Sequence, residues 1–149
     1  MQKIKISALL SCIVSIGFAT QNIRTDSAPL ASKQIYKQRE SFVKMMASEL
    51  SRQLPQQVDR YTTLLKVEPK KNTLRYIFSI NDKNKTDEEI IKEDHSRMEK
   101  VVTRGVCLKS KKLFESGINT IYVYKSAKTG RELFHFDITK EKCLRDVFR

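Results

Sequence analysis

The sequence predicts an α+β domain: a four-stranded antiparallel sheet made of two hairpins, with helices packed on one face, in helix-hairpin-helix-hairpin order with a short last helix. Three observations lead there. Apolar residues recur at helical spacing from Ser32 to Leu54 and again after Thr86, they alternate with a period of two in two pairs of neighbouring segments, and each pair is joined by a short stretch of turn chemistry. Short connections join antiparallel strands, and helices that cover one face of such a sheet complete a two-layer core. At 149 residues, 40% hydrophobic, with four Gly and three Pro, the chain has the size and composition of one folded domain.

The first residues read as an export signal. Lys3 and Lys5 supply a charged start, and Ile6 to Ala19 contains no charged residue. That apolar run is shorter than the roughly 20 residues a bilayer-spanning helix needs. Gly17-Phe18-Ala19 puts small residues before a cut, so residues 1–19 are expected to be removed and the product to be periplasmic or secreted. An uncleaved anchor is the competing reading. Lipidation at Cys12 is another: Leu9-Leu10-Ser11-Cys12 loosely resembles a lipoprotein cleavage box, but Ile13, Val14, Ile16 and Phe18 continue the apolar run past it. Residues 20–31, polar and aperiodic with Asp26, Ser27 and Pro29, read as a tether, and residues 32–149 as the domain.

Within the domain, Ile35, Phe42, Met46, Leu50 and Leu54 form one stripe of a first helix, which Pro55 stops. Tyr61, Thr63, Leu65 and Val67 then alternate as one strand face. Glu68-Pro69-Lys70-Lys71-Asn72 makes a turn, and Leu74, Tyr76, Phe78 and Ile80 give the second arm of the hairpin. Thr86-Asp87-Glu88-Glu89 is a capping box that opens a second helix, whose apolar positions are Ile90, Ile91, Met98, Val101 and Val102 and which Gly105 should end. After Cys107 a short helical turn closes at Gly117, a residue suited to the left-handed position beyond a helix end. Ile118–Tyr124 and Arg131–Ile138 are the second hairpin, with either Ile121 and Val123 or Tyr122 and Tyr124 inward, and Phe134, Phe136 and Ile138 on one face. Thr139 can cap a last turn carrying Cys143.

Removal of the leader leaves Cys107 and Cys143, an even number in an oxidising compartment, and a structural disulfide between them follows. The chain-entropy model gives such a loop about 3.5 to 4 kcal/mol. A redox pair or metal ligation lacks a CxxC or a supporting His/Cys cluster. The formal charge of +12 favours anionic lipid surfaces, other polyanions or acidic proteins; Lys109, Lys111 and Lys112 form the densest cationic cluster and the candidate partner or anion contact.

No catalytic, cofactor or metal motif stands out. His135 and Asp137 share a strand face but lack a nucleophile, and Asp87, Glu88, Glu89, Glu93 and Asp94 lack calcium-loop spacing and suit the start of a helix. Asn84-Lys85-Thr86 fits a glycosylation acceptor, a role limited to eukaryotic secretion. Tyr76, Tyr122 and Tyr124 could stack nucleobases, but alternating strand aromatics more often form a core, and nucleic acid is not the expected partner. The residues thus point away from an enzyme.

Leu54-Pro55, Val58-Asp59 with Thr62, Asn72-Thr73-Leu74-Arg75-Tyr76, Val106-Cys107, Leu113 with Gly117, Tyr122-Val123-Tyr124, Gly130 and Cys143 together resemble small exported bacterial proteins with a single disulfide, similar to the β-type pilotins of type II secretion. The resemblance implies a helix-flanked sheet, a bridge from helix to C-terminal turn, and an envelope accessory or chaperone that binds a protein partner. Those pilotins are lipoproteins, whereas this leader lacks a good lipobox. The alternative function is a secreted cationic factor that binds anionic membranes or polyanions.

Overall fold

The computed structural model describes residues 28–148; the expected leader, the cleavage site expected after Ala19 and Cys12 lie outside them. The elements are α1 (Ala28–Ser51), β1 (Gln56–Gln57), β2 (Thr62–Lys70), β3 (Thr73–Ile80), α2 (Asp87–Lys109), α3 (Lys111–Glu115), β4 (Asn119–Ser126), β5 (Glu132–Ile138) and α4 (Lys140–Asp146). Helix α1 begins inside the segment read as a tether.

Among the described residues the sheet has five strands in the order β1-β2-β3-β4-β5, and it is mixed. The two expected hairpins, β2–β3 and β4–β5, are antiparallel, but β3 and β4 pair in parallel. The four-stranded antiparallel expectation is corrected on both counts. Helices α2 and α3 carry the chain back along the sheet, so β4 enters beside the start of β3, and a helical crossover of that kind produces parallel neighbours. Strand β1 carries no signal in the sequence: it is two glutamines after a cis Leu54–Pro55 bond, with no apolar alternation to mark it.

One sheet face carries the core. Phe78, Ile80, Tyr124, Phe134, Phe136 and Ile138 are buried there, in one cluster with Ile90 and Cys107 of α2. Beside it, Val43 and Ala47 of α1 pack with Val67, Leu74 and Ile118. Gly117 holds a positive φ of 76°, and the Arg39 guanidinium of α1 lies so close that an added Cβ would meet it at 2.8 Å. Tyr122 and Tyr124, not Ile121 and Val123, face the helices. Rings stack across β3 and β4, with centroids 4.8 Å apart for Tyr76–Tyr122 and also for Phe78–Tyr124. His95 of α2 meets Phe134 and Phe136 edge-on at 5.5 Å.

Two face assignments and one helix boundary change. The stripe expected for α1 leaves Ile35 48%, Phe42 44% and Leu50 39% exposed, while its neighbours Val43 and Ala47 are buried. The apolar arc is wider than the sheet it can reach, and residues 30–38 are all exposed. In β2 a register shift between Leu64 and Lys66 breaks the period of two. Thr62, Leu64 and Val67 therefore pair with inward residues, and Tyr61 and Leu65 are exposed. Helix α2 runs through Gly105 to Lys109 because Val106 and Cys107 still pack on the core, which outweighs the ~1 kcal/mol a helical glycine costs.

The other face bears paired charges around Ile77 and Val123. Arg75 lies 3.3 Å from Glu68 and 3.9 Å from Glu132, and His135 Nδ1 lies 2.8 Å from Glu132.

The start of α2 is tied down electrostatically. The capping box forms as expected: Thr86 Oγ1 accepts from Glu89 N–H, and Glu89 Oε2 accepts from Thr86 N–H at 2.7 Å. Thr129 donates to Asp87 Oδ2 at 2.7 Å and so fastens the β4–β5 loop to the helix. The Ser126 and Thr129 hydroxyls beside it hold the Asp87 carboxyl below its ordinary 3.8, and the Thr86 backbone and hydroxyl donors hold Glu89 below its ordinary 4.5. Both values are depressed in the folded state, so both groups stabilise the fold above their ordinary values and cease to do so as pH falls through the lowered ones. Thermal midpoints should accordingly be level down to about pH 5 and fall below it. Asp87→Asn should lower the midpoint at neutral pH and make the acid fall shallower; an unchanged acid slope in the variant would contradict this assignment.

Candidate functional site

The inner face is not wholly covered. Between α2 and the 58–61 segment that joins β1 to β2 lies an open cleft of about 530 Å³. Its floor is Phe78 and Ile80 of β3 with Tyr124 of β4, and Met98 and Val102 of α2 form one wall. These strands place large side chains there because alternate residues of β3 and β4 share the face. Val58, Tyr61 and Val101 stand on the rim, 58%, 39% and 65% exposed. Val101, expected inside the helix stripe, thus points to the opening.

The rim charges are already engaged within the chain. Asp59 Oδ1 accepts from the Tyr61 and Thr62 amides at 2.8 Å each, which fixes the loop that carries Tyr61. The Arg60 guanidinium sits 5.4 Å over the Tyr61 ring. Burial acts to raise the Asp94 carboxyl, but hydrogen bonds from Arg97 at 2.7 Å and Lys85 at 3.3 Å hold it below its ordinary range. What the cleft offers an incoming group is therefore apolar surface. Burial also raises the Tyr122 and Tyr124 phenols well above their ordinary value, so both stay protonated at neutral pH.

The structure brings Cys107 and Cys143 together as a disulfide, with Cα atoms 5.4 Å apart and both residues buried, joining α2 to α4. Lys109 ends α2, and Lys111 and Lys112 open α3, away from the cleft; Lys111 lies 4.0 Å from Glu115. His135 Nε2 is 3.7 Å from Asp137 on the charged outer face, where its neighbours are carboxylates. The acidic residues of α2 serve as helix start and ion pairs: Glu88 meets Arg131 at 2.8 Å and Glu93 meets Lys85 at 2.8 Å. Among the described residues, no three His, Cys, Asp or Glu side chains group as metal ligands would. The tyrosines belong to the layer beneath the helices, not to an exposed stacking platform.

The model of a domain family of unknown function, DUF8479, matches residues 37–134, a span that includes the whole cleft. The chain belongs to that family. Its fold is similar to those of two pilotins: EpsS of the Vibrio vulnificus type 2 secretion system, with TM-score 0.64, 13% identity, and coverage of 74% of this chain and 96% of that one, and the type II secretion system pilotin AspS of Vibrio cholerae, with 0.62, 16%, 76% and 99%. A protein of Pseudomonas aeruginosa described as secreted gives 0.65, 14%, 73% and 96%. At such identities the likeness is one of fold, and it agrees with the pilotin resemblance of the short markers from Leu54 to Cys143. No curated protein sequence matches this chain significantly.

Sequence reading did not single out this cleft. A signal existed: Val58 and Tyr61 are apolar residues in a polar connection, and Val101 is more than α2 needs to cover the sheet. The cleft geometry makes opposite demands on floor and rim. Phe78→Ala should cost about 3 to 4 kcal/mol in denaturant titrations because it empties part of the core. Val101→Asp, on the exposed rim, should stay within about 0.5 kcal/mol of the parent; the reverse order would mean that the cleft is wrongly drawn.

Proposed function

We propose that this chain is a non-enzymatic accessory protein of the bacterial envelope that helps assemble a secretion system, and that the cleft beside α2 receives an apolar segment of its protein partner. The observation that carries the reading is the cleft itself: an aromatic and aliphatic floor, an exposed apolar rim, and charges already satisfied within the chain. A groove of that kind suits the apolar face of an amphipathic helix. Nothing in it prepares a nucleophile, an acid–base pair or a metal, so binding is the chemistry it supports. The similarity of fold to secretion-system pilotins favours an assembly role, and the Cys107–Cys143 bridge suits a chain exported to an oxidising compartment.

A photo-crosslinking residue placed at Val58 or Val101 in the producing cells should trap one discrete envelope protein, identifiable by mass spectrometry as a secretion-system component. The same residue at Lys37, on the exposed first half of α1, should not. Absence of any adduct at the rim, or the same adducts at all three positions, would remove the cleft as the partner site.

A further inference from the structure

The outward crest of α2 has a different chemistry from the cleft. Lys100, Arg104 and Leu108 recur every four residues and so form one stripe. The stripe lines a second hollow of about 720 Å³, whose far wall is α4 with Lys142, Asp146 and Val147. Lys142 Nζ lies 3.0 Å from Glu99 and 3.1 Å from Asp146, so it engages both acidic residues of the hollow. Lys100 and Arg104 have no ion pair among the described residues, and neither do Lys109 and Lys112 at the end of the stripe. The Thr103 hydroxyl at the same hollow is buried and without a hydrogen-bond partner among the described residues.

Leu108 lines the hollow with these cations, and further large apolar side chains are exposed on α4 and just past it. Leu108 is 57%, Leu144 53% and Phe148 44% exposed. Leu108 and Leu144 each follow one of the bridged cysteines, whose Cα atoms are 5.4 Å apart, so the disulfide holds both leucines at one end of the molecule. On α4, Lys140 and Leu144 lie one turn apart and are exposed, and Phe148, just past the end of the helix, is exposed as well. A soluble polyanion would engage the cations and leave the leucines in water. An anionic bilayer surface matches both, since phosphates lie above an apolar layer.

We infer that the α2–α4 edge docks on an anionic phospholipid surface. Lys100 and Arg104 meet headgroup phosphates, while Leu108, Leu144 and Phe148 enter the interface. The inference stands independently of the partner reading above.

Vesicle flotation of the oxidised chain, carrying the N-terminus the cell leaves on it, tests this. Vesicles of mixed phosphatidylglycerol and phosphatidylcholine should carry the protein up, pure phosphatidylcholine should not, and added salt should weaken the binding. Lys100→Glu with Arg104→Glu should reduce partitioning at least about ten-fold, and so should Leu144→Asp with Phe148→Asp. Lys33→Glu with Lys37→Glu, an equal charge change on the far half of α1, should reduce it less than about three-fold. All six substituted side chains are exposed, and unchanged thermal midpoints will confirm the folds. Failure to float with anionic vesicles, or equal flotation with neutral ones, overturns the inference. It is equally overturned if the α1 pair matches the α2 pair, which makes the attraction one of overall charge, or if the apolar pair has no effect.

Discussion

Helix α2 lies across the aromatic face of the sheet, and it is fastened at both ends by interactions of different kinds. At its start, the Thr86–Glu89 capping box satisfies the first amides while Asp87 takes the Thr129 hydroxyl from the opposite loop. At its end, Cys107 is covalently joined to α4. Between these points Ile90, His95 and Cys107 meet the rings and aliphatic groups of β3, β4 and β5. The parallel pairing of β3 with β4 needs a crossover of this sort, so the topology and the helix seat are one constraint.

Magnitudes separate the contributors. Each large ring removed from water on the inner face is worth roughly 1.5 to 3 kcal/mol, and stacked rings add about 0.5 to 1.5. The disulfide contributes about 3.5 to 4 kcal/mol through the unfolded chain. The polar pairs on the outer face, such as Arg75–Glu68 and His135–Glu132, are open to solvent on one side and worth about 0 to 1 kcal/mol each. The fold therefore rests on the ring layer and the bridge, and the outer charges keep an otherwise bare sheet face in solution.

Local rules reached the elements and stopped at their juxtaposition. The capping box at Thr86, the glycine stop at Gly117, the Thr139 cap and the 107–143 pairing were legible because each depends on residues whose chemistry is short-ranged or whose number allows one answer. The faces of β2 and α1 were not. A bulge at Leu65 inverts the phase of the strand without altering its composition, and Val43 rather than Phe42 is buried because the sheet edge, which the sequence does not display, selects within a broad apolar arc. The parallel pair was hidden because each hairpin looks the same whichever way the two are joined. The cleft was missed for a related reason. Val58, Tyr61 and Val101 belong to different elements, and only the tertiary fold brings them to one rim.

Helix α2 thus borders an apolar cleft along its middle and a cationic hollow where it meets α4, and both depend on its being held in place. Amide hydrogen exchange of the oxidised and reduced chain, resolved by residue, examines that dependence directly. In the oxidised protein the inward half of α2 should exchange as slowly as β3 and β4. On reduction, protection should drop along the last turns of α2 and through α4 while the β2–β3 hairpin and the buried half of α1 keep theirs. Protection of α2 and α4 that is identical in the two forms, or lost evenly over the whole chain, would contradict the account.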